Sequence, residues 1–382
     1  MILTILRYLK KIFFLILRSS IEFKKPSLKK VLIFDKTNSE ILQKYLRNKY
    51  CILHTRNEKI NIFIVIKNII KFKFSKIEYY NTYIEFVKPK IIITAIDNNP
   101  AFYLLKKKFN QKKILIQMGW KSPIYDKSIF TLKKGVTKVV KNKRYNVDYI
   151  FVYNSEIGKF FKNLNAKKII KIGSIKSNFF KIKNKRKTID LLYISSWTNI
   201  KPDIEITKSI NGEQYISKHI KILEIIAQYA KNNGLKLSVL GKRSTDDLEY
   251  NFYKNIFKNK INWVFLKSKH HNSYHVTDKS KIVINLHSTL GYESLSRGNK
   301  TIFLDPFSKH LKAVNFGWPD RNFKENGPFW TIKISYSNIK KLLDNLKNMN
   351  QLRFNKIKNK YVKRLMHIDY NNNKLIKILN IH

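Results

Sequence analysis

The sequence predicts an α/β protein built from two doubly wound halves. Three observations carry this. Short continuous apolar runs alternate with amphipathic helical stretches along most of the chain, the pattern of parallel strands covered on both faces. The alternation stops at a charged, core-poor segment, "KIKNKRK" (181–187), and then starts again. The length, 382 residues, exceeds what one hydrophobic core comfortably fills, so two domains are expected.

In the first half "KVLIF" (30–34) reads as a buried strand, and "SEILQKYLRN" follows as a helix opened by Ser39. "CILHT" (51–55) is a second strand, and helical patterns run over about 62–71 and 77–88, the latter ended by Pro89. "KIIITAI" (90–96) is a β-branched strand. "NPAFYLLKKKF" then starts a helix with Asn99 as cap and Pro100 at the first helical position. "KILIQ" (113–117), "YIFVY" (149–153) and "KKIIKIGS" (167–174) complete that set. After the linker come "IDLLYISS" (189–196), a long helix over 213–234 stopped by Gly234, and strands at 235–241, 261–266, 281–287 and 300–305. Helical patterns at about 336–349 and 351–365 close the chain. The expected boundaries are 1–20 for a basic amphipathic helix, 28–180 and 188–350 for the two Rossmann-like halves, and 351–382 for a helical tail.

Composition narrows the function classes. Hydrophobic content of 43% and aromatic content of 13% exclude wholesale disorder. Cys51 is the sole cysteine, which rules out an internal disulfide; it is expected as a buried strand residue in a reducing compartment. The net charge of +52 invites a nucleic-acid reading. The lysines, however, are spread over the whole length, and Lys, Ile and Asn are enriched together, as AT-rich coding produces. No nucleic-acid partner is expected; a basic surface equally suits an anionic membrane or a phosphate-bearing substrate.

The first residues, "MILTILRYLKKIFFLILR", are too short and too charged to span a bilayer. On a helical projection Thr4, Arg7, Lys11 and Arg18 share one side, while Ile5, Leu9, Ile12, Phe13 and Ile16 lie away from it. This is the pattern of a helix lying in a membrane interface, and no small-residue cleavage site follows. A cytoplasmic protein, peripheral at the inner face of the membrane, is the expected location.

In open parallel sheets, ligands sit beyond the carboxyl ends of the strands, and two such halves are expected to leave a cleft. The residues just after each strand are therefore the candidates. Asp97 leaves a buried strand immediately before a helix start, where a carboxylate can serve as general base towards a hydroxyl; His54 is the alternative. Asn98 follows Asp97, and Gly119 and Trp120 lie in the "QMGW" loop. In the second half Ser195 and Ser196 carry hydroxyls that can donate to phosphate oxygens, and Lys242 and Arg243 can neutralise a diphosphate. Ser288, Thr289 and Gly291 precede a helix and supply donors of the same kind, and Glu293 is a lone acid between Gly291 and Gly298. Structural alternatives stand beside each: a turn acid for Asp97, a solvated loop charge for Lys242, a plain strand-to-helix turn for the 288–298 stretch. No Walker, H-E-x-x-H, D-x-D or G-x-S-x-G motif is present, so neither a metal site nor a covalent nucleophile is implied.

"STLGYESLSRGNKTIFL" resembles the S-x-x-G-x-E-x-L-x-x-G segment of the C-terminal domain of GT-B glycosyltransferases, and is most similar to the bacterial surface carbohydrate biosynthesis proteins of the LIC-type family. "DNNPAFYLL", "ILIQMGW", "FVYNSEIGKFF", "IKIGSIKSNFF", "FGWP" and "GPFWT" (327–331) are similar to that group too, spread over about residues 30–335. Met118 departs from the pattern within the Q-x-G segment. The resemblance implies two Rossmann-like domains, with the acceptor on the first and a nucleotide-sugar on the second. It implies that Glu293 contacts ribose or sugar hydroxyls, that Ser288, Thr289 and Gly291 meet the phosphates, and that Lys242 or Arg243 offsets their charge. It also implies no bound metal and no cofactor other than the nucleotide-sugar donor.

The expected activity is transfer of a sugar from a nucleotide-sugar to a glycan or lipid-linked acceptor of surface polysaccharide. A nucleotide-sugar 2-epimerase and a CDP-alditol phosphotransferase share the fold and remain open at this stage. A basic nucleic-acid-binding protein is the non-enzyme alternative.

Overall fold

The computed structural model describes residues 19–56, 58–97, 99–107, 110–119, 147–161, 166–182, 186–207, 210–242, 247–267, 273–306 and 325–380. The expected helix at the amino terminus, the Asn98 and Trp120 positions, Arg243 and the "FGWP" segment lie outside the described residues. The chain divides into two compact units. The first holds the described residues up to Met118, those from 147 to Phe179, and Asn372 onward; the second holds Gly119 and Phe180–Asn371. The tail expected over 351–382 is thus shared between the two units.

In the first unit the order is β1 (Ser20–Glu22), β2 (Val31–Phe34), α1 (Glu40–Leu46), β3 (Tyr50–Leu53), β4 (Lys59–Asn61), α2 (Ile62–Ile70), α3 (Lys76–Val87), β5 (Ile91–Thr94), α4 (Pro100–Leu104), β6 (Lys112–Ile116), β7 (Val147–Val152), α5 (Ser155–Phe160), β8 (Ala166–Lys171) and α6 (Ile175–Phe179). Six strands form a sheet in the order β3-β2-β5-β6-β7-β8, and every pairing in it is parallel. Its central strands are fully buried: the side chains of Val31–Phe34 and Ile91–Thr94 all lie in the core. That is why they read as unbroken apolar runs. Cys51 on the edge strand β3 is half-buried, a correction to the buried position expected for it, because a sheet edge covers only one flank; burial still pushes its thiol up to about 12.

The second unit runs β9 (Ile189–Ile194), β10 (Glu205–Thr207), β11 (Ile210–Asn211), α7 (Gly212–Asn232), β12 (Leu237–Leu240), α8 (Asp247–Phe257), β13 (Trp263–Leu266), α9 (Ser273–Asp278), β14 (Ser280–Asn285), α10 (Thr289–Ser296), β15 (Thr301–Leu304), β16 (Trp330–Thr331), α11 (Tyr336–Asn348) and α12 (Gln351–Leu365). Its parallel sheet has the order β13-β12-β9-β14-β15-β16. Counted along the chain this is 3-2-1-4-5-6, the dinucleotide-binding arrangement, whose order reverses between β9 and β14. A last helix, α13 (Asn373–Leu379), belongs to the first unit.

Local chemistry explains the helix starts. The side chains of Asn61, Ser75, Asn99, Asn154, Asn211, Ser288, Ser335 and Asn350 each accept a hydrogen bond from a backbone N–H of the first turn. The helix expected to continue through "LLKKKF" instead ends at Leu104. There the ammonium of Lys113, itself fully buried, donates to the carbonyls of Tyr103 (3.1 Å) and Leu105 (3.3 Å). A cation on the last carbonyls closes the helix early. Burial lowers the pKa of that lysine to about 7, against the pull of Asp148.

Candidate functional site

The switch point of the second sheet collects the densest polar chemistry. Three loops leave there: Ser195–Trp197 after β9, Gly241 and Lys242 after β12, and His287 and Ser288 after β14. The two serine hydroxyls after β9 are already engaged. Ser195 Oγ donates to the Glu249 carboxylate and lies 2.8 Å from Tyr253 Oη. Ser196 Oγ lies 2.7 Å from Tyr193 Oη and 2.9 Å from His219 Nε2. Glu249, fully buried on α8, also accepts from the backbone N–H of Lys242 at 2.8 Å. These bonds join the β9 and β12 loops into one framework. Ser195 and Ser196 are thus held by bonds within the protein at the mouth of the β9 loop.

Both histidines here are neutral at physiological pH. Burial lowers His219 to about 3, with His287 as a further cause. Burial lowers His287 to about 4, and the charge of Lys242 adds to it. His287 keeps part of its surface exposed. Its Nε2 lies 3.4 Å from Tyr215 Oη, whose own pKa burial raises to about 12. The Lys242 side chain is exposed, so a solvent-facing cation, a neutral imidazole and the start of α10 meet around the switch point.

The α10 segment sorts residue by residue. Ser288 is its N-cap: Ser288 Oγ accepts from Leu290 N at 3.3 Å, while Ser288 N donates to Asn285 Oδ1 at 3.1 Å. Thr289 is the first helical residue and is partly exposed. Gly291 has a packing reason for being glycine, since a Cβ there would come within 2.2 Å of the Asn285 side chain. Glu293 lies in the second turn and is only 5% exposed, deeper than an acid at the helix start. Gly298 stops the helix at φ 95°, with Gly298 N on Leu295 O and Asn299 N on Ser294 O. Arg297 forms a buried two-pronged pair with Asp278, Nε–Oδ1 3.1 Å and Nη2–Oδ2 2.6 Å. Its Nη1 also donates to Phe180 O at 2.8 Å. The motif thus joins a capped helix start to a helix end fixed by a buried ion pair.

The first unit places its candidates on a different edge. Asp35, His54 and Asp97 follow β2, β3 and β5, so β2 lies between the strands bearing His54 and Asp97. Strand spacing puts the backbones at those two strand ends about 10 Å apart, too far for a directly bonded dyad without long reaches. Asp97 is buried, 6% exposed, and its backbone carbonyl accepts from Tyr103 Oη at 2.7 Å. His54 has its pKa lowered by burial, and its Nδ1 lies 3.8 Å from Glu58 Oε2. Asp35, fully buried with φ 78°, accepts from Thr37 N (2.9 Å), Thr55 Oγ1 (2.6 Å) and Arg56 Nε (3.1 Å). These bonds outweigh its burial and lower its pKa. Gly119 takes φ 82° with open space around its Cα. Among the described residues no cluster of three or more His, Cys, Asp or Glu is placed to hold a metal ion.

Sequence reasoning missed His219, Tyr193, Glu249 and Tyr253, because they lie within elements and not at strand ends. One signal was available: His219 shares the apolar stripe of α7 with Ile222, Leu223 and Ile226. A polar ring on a core face needs a partner.

A family model described as "putative O-antigen biosynthesis protein" matches residues 114–382. No curated protein matches the sequence. Among solved structures, the H444N variant of the wall teichoic acid polymerase TagF is similar over 99% of this chain and 96% of its own, with 12% identity and a TM-score of 0.57. The UDP-GlcNAc 2-epimerase of Methanocaldococcus jannaschii, in complex with UDP-GlcNAc and UDP, is similar over 94% and 100%, with 12% identity and a TM-score of 0.52. S. aureus MnaA with UDP is similar over 93% and 98%, with 12% identity and a TM-score of 0.53. These likenesses show the fold: two Rossmann-like units of the GT-B type.

Proposed function

The chain belongs to the O-antigen biosynthesis family whose model covers residues 114–382, and from that premise we propose that it is a metal-independent glycosyltransferase. It moves a sugar from a nucleotide-sugar donor to a glycan or lipid-linked acceptor of the cell surface, working at the cytoplasmic face of the membrane. The carrying observation is the meeting of Lys242, His287 and the Ser288-capped start of α10 at the switch point of a 3-2-1-4-5-6 sheet. A helix start and a cation suit the diphosphate of the donor and stabilise the nucleotide as it leaves. Neutral His287 adds a hydrogen-bonding group without adding charge. Glu293 is assigned to donor hydroxyls. Asp97, or His54, takes the proton of the acceptor hydroxyl as the new bond forms.

Calorimetric titration of UDP-, GDP-, CMP- and CDP-sugars in the presence of EDTA tests the donor site. One nucleotide class is expected to bind, and Lys242→Ala to weaken it roughly ten-fold, the scale of one charge-assisted bond. No binding by any of them, or equal binding by K242A, sinks the reading. Donor turnover with unchanged KM in Glu293→Ala removes that residue from the donor site. Asp97→Asn is expected to lower kcat by about a hundred-fold or more at nearly constant KM. Conversion of the sugar nucleotide to its epimer without any acceptor would select an epimerase instead.

A further inference from the structure

Helix α2 carries more apolar side chains than its buried face can hold. Of its sequence, "IFIVIKNII", Ile64, Val65 and Asn68 point inward, and Asn68 Oδ1 accepts from Thr82 Oγ1 at 2.6 Å. Its outward face shows Ile66, 49% exposed, and Ile70, 64% exposed. Just beyond its end Phe72 is 68% exposed and sits at φ 53°. A bulky residue in the left-handed region is a genuine outlier, and here the strained backbone holds an aromatic ring out in water. Strand β1 packs beside α2, and Phe23, directly after β1, is 74% exposed. Several large apolar side chains exposed on neighbouring elements mark an interaction site.

We propose that this face of the first unit docks on an anionic phospholipid surface. Charge complementarity selects that occupant: Lys24, Lys25 and Lys71 stand exposed around the apolar side chains, and Lys67 lies on α2 itself. The neighbouring acids are already paired, Glu22 with Lys59 and Glu78 with Lys73 and Lys106. Apolar groups ringed by lysines match the headgroup and acyl boundary of a negatively charged leaflet. The docking face fits the proposed use of membrane-borne acceptors, but its test contains no sugar nucleotide, so the two readings fail independently.

The full chain is mixed with vesicles of phosphatidylglycerol and phosphatidylethanolamine, and with vesicles of phosphatidylcholine alone, and the bound fraction is read by sedimentation. The triple variant Ile66→Gln, Ile70→Gln, Phe72→Asn keeps the net charge, the helix propensity and, through asparagine, the left-handed turn. It is expected to remain folded by circular dichroism and to partition roughly ten-fold less onto the anionic vesicles. Wild-type binding should also fall as salt is raised. Unchanged vesicle binding by the variant overturns the proposal, as does equal wild-type binding to phosphatidylcholine. A wild-type dimer that the variant converts to monomer, with vesicle binding intact, overturns it in favour of an interface between two copies.

Discussion

At the carboxyl edge of the first sheet stand two buried acids, Asp35 and Asp97, with His54 beyond them. At the same edge of the second stand Ser195, Ser196, Lys242, His287 and Ser288. The strands run alike and the layering is alike. The difference lies in how each edge settles its polar groups. The first uses local turns and one arginine around Asp35. The second ties two loops and two helices together through Glu249, Tyr253, Tyr193 and His219. An edge held from its sides presents the α10 start and the exposed Lys242 together. The first edge places Asp35 and Asp97 directly after its strands, whereas in the second Glu249 reaches the edge from a helix. Shared architecture, then, does not dictate shared chemistry; the residues at the strand ends do.

The largest effect should separate the buried ion pairs of the two units. Arg297 and Asp278 are 2% and 5% exposed, whereas Lys107, which pairs with Asp148 in the first unit, is 25% exposed. Arg297→Met removes the paired cation from buried Asp278, leaving it the Asn299 amide and the charge of Lys187, and releases the Phe180 and Lys181 carbonyls. A loss of about 3–5 kcal/mol is expected in urea unfolding. Lys107→Met should cost less than about 1 kcal/mol, since Lys167 remains on the same carboxylate. Equal costs would erase the contrast.

The units should also part under pH. His219 and His287 have folded pKa values of about 3 and 4, below the ordinary 6.5. Below pH 6.5 the unfolded chain binds protons that the folded second unit refuses, so stability falls as pH drops from 6.5 towards 4. The expected loss is about 3 kcal/mol by pH 4 for His219 alone. His219→Gln should flatten that limb, checked by unfolding across pH 4–7. In the first unit Lys113, at about 7 against an ordinary 10.5, acts on the alkaline side. The unfolded chain holds more protons between those values, so stability rises with pH there, and Lys113→Met should remove the rise.

A third contrast isolates glycines. Gly291→Ala drives a Cβ into the Asn285 side chain and should cost about 1–3 kcal/mol. Adding Asn285→Ala should recover much of it, because Asn285 Nδ2 is buried with no hydrogen-bond partner among the described residues. Gly119→Ala meets no neighbour within 4 Å among the described residues, so its cost is the strain of a side chain at φ 82°, about 1–2 kcal/mol.

The periodicity of the sequence carried the two parallel sheets, because fully buried strands such as Ile91–Thr94 announce themselves by composition. Strand ends carried Lys242 and Ser288 to the switch point for the same reason. Short edge pieces such as β1 and β16 escaped, since two or three residues show no period. His219 and Glu249 escaped because their roles depend on which helix faces meet, a tertiary fact. Gly291 was read as an approach point for phosphate, and only the Asn285 side chain beside it shows a packing demand. The outward isoleucines of α2 were visible as an apolar run, but nothing in the run said which side faced water.

The smallest effect is the most discriminating. Ser288 caps α10 through its hydroxyl, so Ser288→Ala mixes loss of the cap, about 1 kcal/mol, with loss of any bond to a ligand. Ser288→Gly separates them, because glycine at a cap costs only a few tenths of a kcal/mol. The melting temperature of S288G should therefore stay close to wild type. If nucleotide-sugar affinity falls nonetheless, the hydroxyl serves the ligand as well as the helix. If affinity holds, Ser288 acts only as a cap, and the anion-binding capacity of the second edge rests on Lys242 and the α10 backbone. In the first unit Ser75 caps α3 through its hydroxyl, which accepts from Glu78 N at 3.2 Å, away from the strand ends that carry the candidates. Ser75→Gly supplies the matched control: the same change in stability, with no change in nucleotide binding.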